Sequence, residues 1–319
     1  MKNTINFSDL AKLTILVSCL LPLSSYAVET TQPGSSQSPT KTEIASLGID
    51  ETTNISRFLN PKNLFLRSSA AIVMDTQNGN ILYSRDSDEL RSIASLTKLM
   101  TAMVILDAKL PLNEKIKITR KDRDRLRGSK SRLAYGSIIT REDLLLLALA
   151  ASENRATAAL ARTYPGGKAE FVKAMNTKAR TLGMKNSVFR DSSGLHSQNK
   201  STAKDLVKLV AASNKYPKIR EMSTTGKHYA TDLRSGWKIE FLNTNRLVRR
   251  KQWDIGLSKT GYLADAGNCL VMHTEISGHP VIIVLLNSWG KLSKFGDANR
   301  IKRWVMNAEK KRQRVVANI

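Results

Sequence analysis

Ser95 and Lys98 stand three residues apart in Arg91-Ser92-Ile93-Ala94-Ser95-Leu96-Thr97-Lys98-Leu99-Met100, ahead of an apolar run from Leu99 to Leu106 that reads as a buried helix. If Ser95 starts that helix, Lys98 lies one turn later on the same face. An ammonium that gives up its proton cheaply can then take the proton of Ser95 and make the hydroxyl a nucleophile. The helix N-terminus favours negative charge developing near Ser95. The Ser-x-x-Lys spacing recurs at Ser38, Ser197, Ser201 and Ser288, so the spacing alone selects nothing.

Two further segments give Ser95 its meaning. Ser152-Glu153-Asn154 follows a second apolar run, and Lys259-Thr260-Gly261, whose triplet occurs once in the chain, sits in a strand-like stretch. Taken singly, Ser95 is only a helix cap, Ser152-Glu153-Asn154 a helix-end turn and Lys259 a solvated lysine on an edge strand. Taken in order, they supply a nucleophile, candidate bases and proton carriers, and a second positive charge. Ser38 falls in a polar leader. Ser197, Ser201 and Ser288 have no Ser-x-Asn and Lys-Thr-Gly segments after them in that order. The four histidines, His196, His228, His273 and His279, have no metal-ligand spacing and read as structural or surface residues. No glycine-rich phosphate loop is present, and neither a metal nor a cofactor is expected.

Elements far apart in sequence must bring these segments together. Ala70 to Asp75 and Asn80 to Ser84 flank the Asn78-Gly79 turn signal and predict a β-hairpin. The Ser95 helix is expected to run to about Asp107, with a basic loop from Lys115 to Ser131 beyond it. Thr140-Arg141-Glu142-Asp143 reads as a capped helix start with Asp143 reaching back, and Leu144 to Ala151 as a buried helix. Tyr164-Pro165-Gly166-Gly167 ends the next helix, and Ala169 to Thr181 forms another that stops at Gly183. Asp191 to His196 is loop-like, and Ser201 to Asp205 caps a helix through about Ser213. Strand-like pieces follow around Trp237 to Phe241. Asn268 to His273 and Pro280 to Leu286 are strong strands joined at Ser277-Gly278-His279. A helix from Asp297 to about Lys310 and a basic tail, Lys310 to Arg314, close the chain. The early and late strands are natural partners in one antiparallel sheet, with helices covering it and a helical lobe inserted between. The fold class is α+β.

Composition sets the setting. The chain has 319 residues, 41% hydrophobic and 24% charged, with a net charge of +24. Lys2, Lys12, the apolar run Leu13 to Leu23 and the small residues before Val28 read as an export signal over 1–27, cleaved after Ala27, since the run is too short for a comfortable membrane span. Leu16-Val17-Ser18-Cys19 also resembles a lipoprotein box, but the apolar run continues past Cys19, which favours an ordinary signal. Signal removal leaves Cys269 alone, so no intramolecular disulfide forms. Removing Lys2, Lys12 and Asp9 leaves 49 basic and 26 acidic residues, a charge of +23. Nucleic acid is not expected to meet an exported protein, so the charge points to peripheral association with anionic wall polymer or an anionic membrane surface. Residues 28–63, rich in Ser, Thr, Gln and Pro, read as a flexible leader, and 64–319 as a single catalytic domain.

Ser-x-x-Lys, Ser-x-Asn and Lys-Thr-Gly in this order resemble the signature of penicillin-binding proteins and class A β-lactamases. With the flanks Gly136 to Leu144, Ala151 to Ala156, Asp191 to Leu195, Ser201 to Ala203 and Lys259 to Gly267, the chain is similar to the low-molecular-mass penicillin-binding proteins, the serine D-alanyl-D-alanine peptidases. Asn243-Thr244-Asn245-Arg246-Leu247-Val248 and Tyr164-Pro165-Gly166-Gly167 look most like their D-alanyl-D-alanine endopeptidase group. The resemblance implies a β-lactamase/transpeptidase-like fold and a periplasmic hydrolase of peptidoglycan cross-linked peptides, with β-lactams as covalent inhibitors. It implies Ser95 as nucleophile, Lys98 as general base, Ser152 as proton relay and Asn154 as the group orienting Lys98. Lys259, together with burial, is expected to lower the proton affinity of Lys98 and, with Thr260 and Gly261, to bind substrate. The backbone N–H groups of Ser95 and Tyr262 would form the oxyanion hole. A β-lactamase would need a deacylating glutamate, and Phe189 to Asn199 contains none. Carboxypeptidase relatives carry a second β-rich domain and a C-terminal amphipathic helix. Only 58 residues follow Gly261, and the expected strands and helix use most of them, which favours the endopeptidase over the carboxypeptidase. A non-catalytic wall-binding protein is the remaining alternative.

Overall fold

In a computed structural model, residues 54–250 and 252–318 are described. The signal and most of the leader lie outside these residues. In chain order the strands are β1 (Ser68–Asp75), β2 (Ile81–Arg85), β3 (Arg91–Ser92), β4 (Lys115–Lys117), β5 (Ile138–Thr140), β6 (Lys200–Ser201), β7 (Lys227–Thr231), β8 (Lys238–Leu242), β9 (Asp254–Leu263), β10 (Gly267–Ile276) and β11 (His279–Ser288). The helices are α1 (Thr97–Asp107), α2 (Arg141–Ala150), α3 (Asn154–Arg162), α4 (Gly167–Thr181), α5 (Ala203–Ser213), α6 (Pro217–Thr224), α7 (Arg246–Arg250) and α8 (Ser293–Val316).

The early hairpin and the late strands form one antiparallel sheet in the order β2-β1-β11-β10-β9. Side chains alternate across a strand, and here both faces are covered. Ala70, Ile72, Ile282, Val284 and Leu286 pack towards the helical lobe, with Cys269 and Val271. Ala71, Val73, Val281, Ile283 and Leu285 pack towards α8, against Ile301, Trp304 and Val305. Two buried faces explain why Pro280 to Leu286 shows no polar alternation. The lobe of α1 to α6 is inserted between β2 and β9, as expected.

Four expectations need correction. Packed structure begins by Asn54 rather than at Leu64. Ile55 and Leu59 are buried in the cluster that contains Trp304, and the Trp304 indole N–H donates to the Asn60 carbonyl at 3.0 Å. Helix α8 starts at Ser293 and continues through the basic tail, because Glu309 binds both Arg312 and Gln313 along one face. The Thr140 side chain caps α2 by accepting from Asp143 N at 3.1 Å, but the Asp143 carboxylate meets His228 Nε2 at 2.7 Å instead of reaching back. The basic segment from Lys115 to Ser131 is not all loop: it contains β4, paired with β5.

Among the described residues no helix is long and apolar enough to cross a membrane.

Candidate active site

Ser95 lies in the 3-10 turn Ala94–Leu96 that leads into α1. Ala94, just before it, has φ 46°, a strained value for a residue with a Cβ. The backbone is pressed from two sides. An added Cβ on Gly194 (φ 84°) would lie 1.9 Å from the Ala94 carbonyl oxygen and 2.9 Å from Ser95 N. One on Gly261 would lie 3.2 Å from Ser95 N. These two glycines let the 191–195 loop and β9 close on the serine.

Helix α1 delivers Lys98 to the floor of the cleft, where the side chain is wholly buried. Its Nζ meets three oxygens: Ser95 Oγ at 2.8 Å, Asn154 Oδ1 at 2.7 Å and the Ser193 carbonyl at 2.6 Å. Burial pushes the Lys98 ammonium down to about 7, against the opposing pull of the Asp191, Glu153 and Asp124 carboxylates. Lys259, also buried, is held well below the ordinary lysine value by burial first and by the charge of Lys98 second. Of the two causes expected for the Lys98 shift, burial and the charge of Lys259, burial is the main one. Lys259 Nζ donates to the Thr260 carbonyl at 3.0 Å.

Asn154 is the first residue of α3 and is fixed from its other end, its Nδ2 donating to Ser129 Oγ at 2.9 Å. Ser152 precedes it in the left-handed region, φ 60°, at the turn between α2 and α3. Among the described residues its hydroxyl makes no direct hydrogen bond to Ser95 or Lys98. Both serines, with Asn154, Thr260, Gly261 and Tyr262, line one cleft of ≈ 1210 Å³. Strand β9 is the outer strand of its sheet, so its free edge can pair with an extended peptide. Every sequence-nominated residue is therefore at this cleft or directly beneath it.

Three contributors escaped sequence reasoning. The Ser193 carbonyl is a main-chain acceptor, so its residue type carries no signal. Ser129 lies in a segment read as a plain basic loop. Thr244 joins Thr260 to the Ser152 turn, its Oγ1 accepting from Thr260 Oγ1 at 2.6 Å and its N–H reaching the Ala150 carbonyl at 2.9 Å. The Asn243-Thr244-Asn245 motif held that signal. The 191–196 loop is shaped by Asp191, whose carboxylate accepts from Ser193 N at 2.5 Å, Gly194 N at 2.7 Å and His196 N at 2.6 Å.

Gly194→Ala is expected to slow acylation of Ser95 by about 100-fold, because the new methyl must displace the Ala94–Ser95 backbone. Gly183→Ala is its control. That position also has positive φ (68°) but nothing within 4 Å of the added Cβ. Stopped-flow acylation rates matching in the two variants would show that the Gly194 contact is irrelevant.

Among the described residues no group of three or more His, Cys, Asp or Glu side chains is placed to hold a metal ion. His228 binds Asp143 and His279 binds Glu309. Cys269 is free and buried, and burial pushes its thiol up to about 11.

The sequence matches the family model described as D-alanyl-D-alanine carboxypeptidase over residues 59–290. D-alanyl-D-alanine endopeptidases of Pseudomonas aeruginosa and Escherichia coli are 49% and 47% identical to it over 240 residues, 75% of this chain and 77% of theirs. A Streptomyces DD-transpeptidase is similar in structure, with a TM-score of 0.69 and 28% identity over 76% of this chain and 97% of that one. A penicillin-binding protein of Listeria monocytogenes in a cefotaxime-bound form gives 0.67 and 29%, covering 76% and 98%. The chain belongs to the D-alanyl-D-alanine carboxypeptidase family and is a serine-type D-alanyl-D-alanine peptidase.

Proposed function

We propose that the protein is an exported, periplasmic D,D-endopeptidase that hydrolyses D-alanyl cross-links of peptidoglycan through an acyl-enzyme on Ser95. The observation that carries the mechanism is the setting of the Lys98 amine. Asn154 Oδ1 and the Ser193 carbonyl are pure acceptors, so they take the two N–H bonds of a neutral amine. The lone pair is left for the Ser95 hydroxyl at 2.8 Å.

Ser95 Oγ attacks the carbonyl carbon of the donor D-alanine, and its proton passes to Lys98 Nζ. The oxyanion is stabilised by the N–H groups of Ser95 and Tyr262. As the C–N bond breaks, Ser152 gives its hydroxyl proton to the leaving amine of the neighbouring peptide and takes back the one held by Lys98, which becomes neutral again. Water then attacks the ester, releasing the donor acid and regenerating Ser95. A substrate carboxylate arriving beside the cleft favours the charged form of Lys259, which with Thr260 then holds it, and Asn154 keeps Lys98 aimed.

Preference for the cross-link over a terminal D-alanine is supported by the two relatives near 48% identity, both named endopeptidases. The carboxypeptidase reading is favoured by a more distant relative, a Bacillus subtilis carboxypeptidase at 30% identity. Purified cross-linked dimer and uncross-linked pentapeptide muropeptides, incubated with the protein and resolved by chromatography, separate the two. We expect dimers to become monomers. Release of D-alanine with dimers intact would overturn the endopeptidase reading. The mature charge of +23 supports loose association with an anionic wall or membrane surface.

A β-lactam acylates Ser95 and stays there. The nearby carboxylates are committed to backbone N–H groups: Asp191 as above, Glu153 to Arg155 N at 3.0 Å, and Asp124 to Leu126 N at 2.8 Å and Ser129 N at 2.9 Å. Those bonds favour the charged carboxylates and make them weaker bases towards a deacylating water. Intact-protein mass spectrometry should show a persistent single adduct. Turnover at the ordinary enzymatic rate of ~10 s⁻¹ would contradict this.

A further inference from the structure

A second cavity, ≈ 740 Å³, shares Asn154 with the lining of the Ser95 cleft. Asn154 and Ser193, the two groups that fix the Lys98 amine, form part of its wall. Its rim carries Lys121, Arg123, Arg125 and Arg190, all exposed. Among the described residues the guanidinium groups of Arg123, Arg125 and Arg190 have no hydrogen-bond or ion-pair partner. The acids of the same wall face the scaffold. Asp122 is held by Arg162 at 2.7 Å, Asp124 caps its own loop, and Asp191 shapes the 191–196 loop. The rim is therefore cationic with its local negative charge already spent, the arrangement that binds carboxylates bidentately.

A cross-linked substrate has two peptide arms that diverge at the scissile bond. Two cavities sharing Asn154 suit that shape. Resting on the endopeptidase reading, we propose that the cationic cavity is a subsite for the acidic peptide stem of the acyl donor, its side-chain and α-carboxylates held by Arg123, Arg125 and Arg190. A stem entering here runs past Asn154 and presents its D-alanine to Ser95, while the acceptor arm lies in the larger cleft. The subsite selects by carboxylate chemistry, so amidated stems bind poorly.

The test uses cross-linked dimers with the donor-stem carboxylates free or amidated. For the wild-type protein kcat/KM is expected to fall about tenfold or more on amidation, one charge-assisted hydrogen bond or better. The Arg123→Gln/Arg125→Gln/Arg190→Gln variant loses that ratio, cleaving both forms alike. A ratio is unaffected by general damage to the fold. The isolated stem tripeptide, titrated calorimetrically in both forms, reports the same subsite without cleavage. Equal wild-type kcat/KM on the two dimers, equal tripeptide affinities, or an undiminished ratio in the variant would each overturn the subsite. A wild-type protein that cleaves neither dimer but binds the free-acid tripeptide at least tenfold better removes the endopeptidase reading and leaves the subsite standing.

Discussion

Ser95→Ala is expected to abolish both the covalent β-lactam adduct and dimer cleavage, a loss on the order of 10⁶-fold where a serine and its base act as a unit. The substitution removes one hydroxyl, which makes a single side-chain hydrogen bond, to Lys98. Stability should change by only about 1 kcal/mol, so a thermal melt near that of the wild type accompanies the loss. The turn that carries Ser95 is held by groups the substitution leaves in place. Thr97 Oγ1 donates to the Ala94 carbonyl at 2.8 Å, and Thr101 Oγ1 donates to the Ser192 carbonyl at 2.6 Å.

Lys98→Met should slow acylation by about 10²- to 10⁴-fold, the usual contribution of a positioned general base. Methionine fills nearly the same volume, so the buried channel along α1 stays packed. The Asn154 and Ser193 oxygens lose their donor, at about 1–3 kcal/mol each, and the melting temperature falls accordingly. Lys98→Arg tells a base from a mere positive charge. Arginine keeps the charge but cannot surrender its proton, so it should be as slow as methionine. Recovery of acylation with arginine would assign Lys98 an electrostatic role only. In the Ser95→Ala background, Lys98→Met should remove nothing further from activity.

The sheet and the helical lobe were legible because their signals are local. The Asn78-Gly79 turn, the apolar strands ending at Leu286 and the Thr202 cap of α5 each reveal themselves within about ten residues. The trio around Ser95 was legible because three chemically constrained side chains recur in a fixed order. What stayed hidden depends on distant contacts. Ile55 and Leu59 sit among polar residues, and they become core through a cluster with distant residues, Trp304 nearly 250 positions away among them. Lys98 meets the Ser193 carbonyl across 95 positions, and a carbonyl leaves no trace in residue type. Asp143 had the right spacing for a capping box but found a stronger partner in His228. The relative weight of the two causes of the Lys98 shift stayed hidden for a related reason. Charge can be read from sequence, whereas depth of burial cannot, and burial is the larger cause.

The central claim is that a lysine made neutral by burial activates Ser95. The pH dependence of the wild-type acylation rate by a β-lactam, measured from pH 5 to 10, tests it most directly. The neutral amine is the active form, and the Lys98 value is pushed down to about 7, so the rate must rise with pH and level off above that point. It should be about 100-fold slower at pH 5 than on the plateau, with an inflection that belongs to the coupled Lys98–Lys259 pair. A rate flat from pH 5 to 9, or one still climbing tenfold per unit at pH 10 as for an ordinary lysine, would contradict the account.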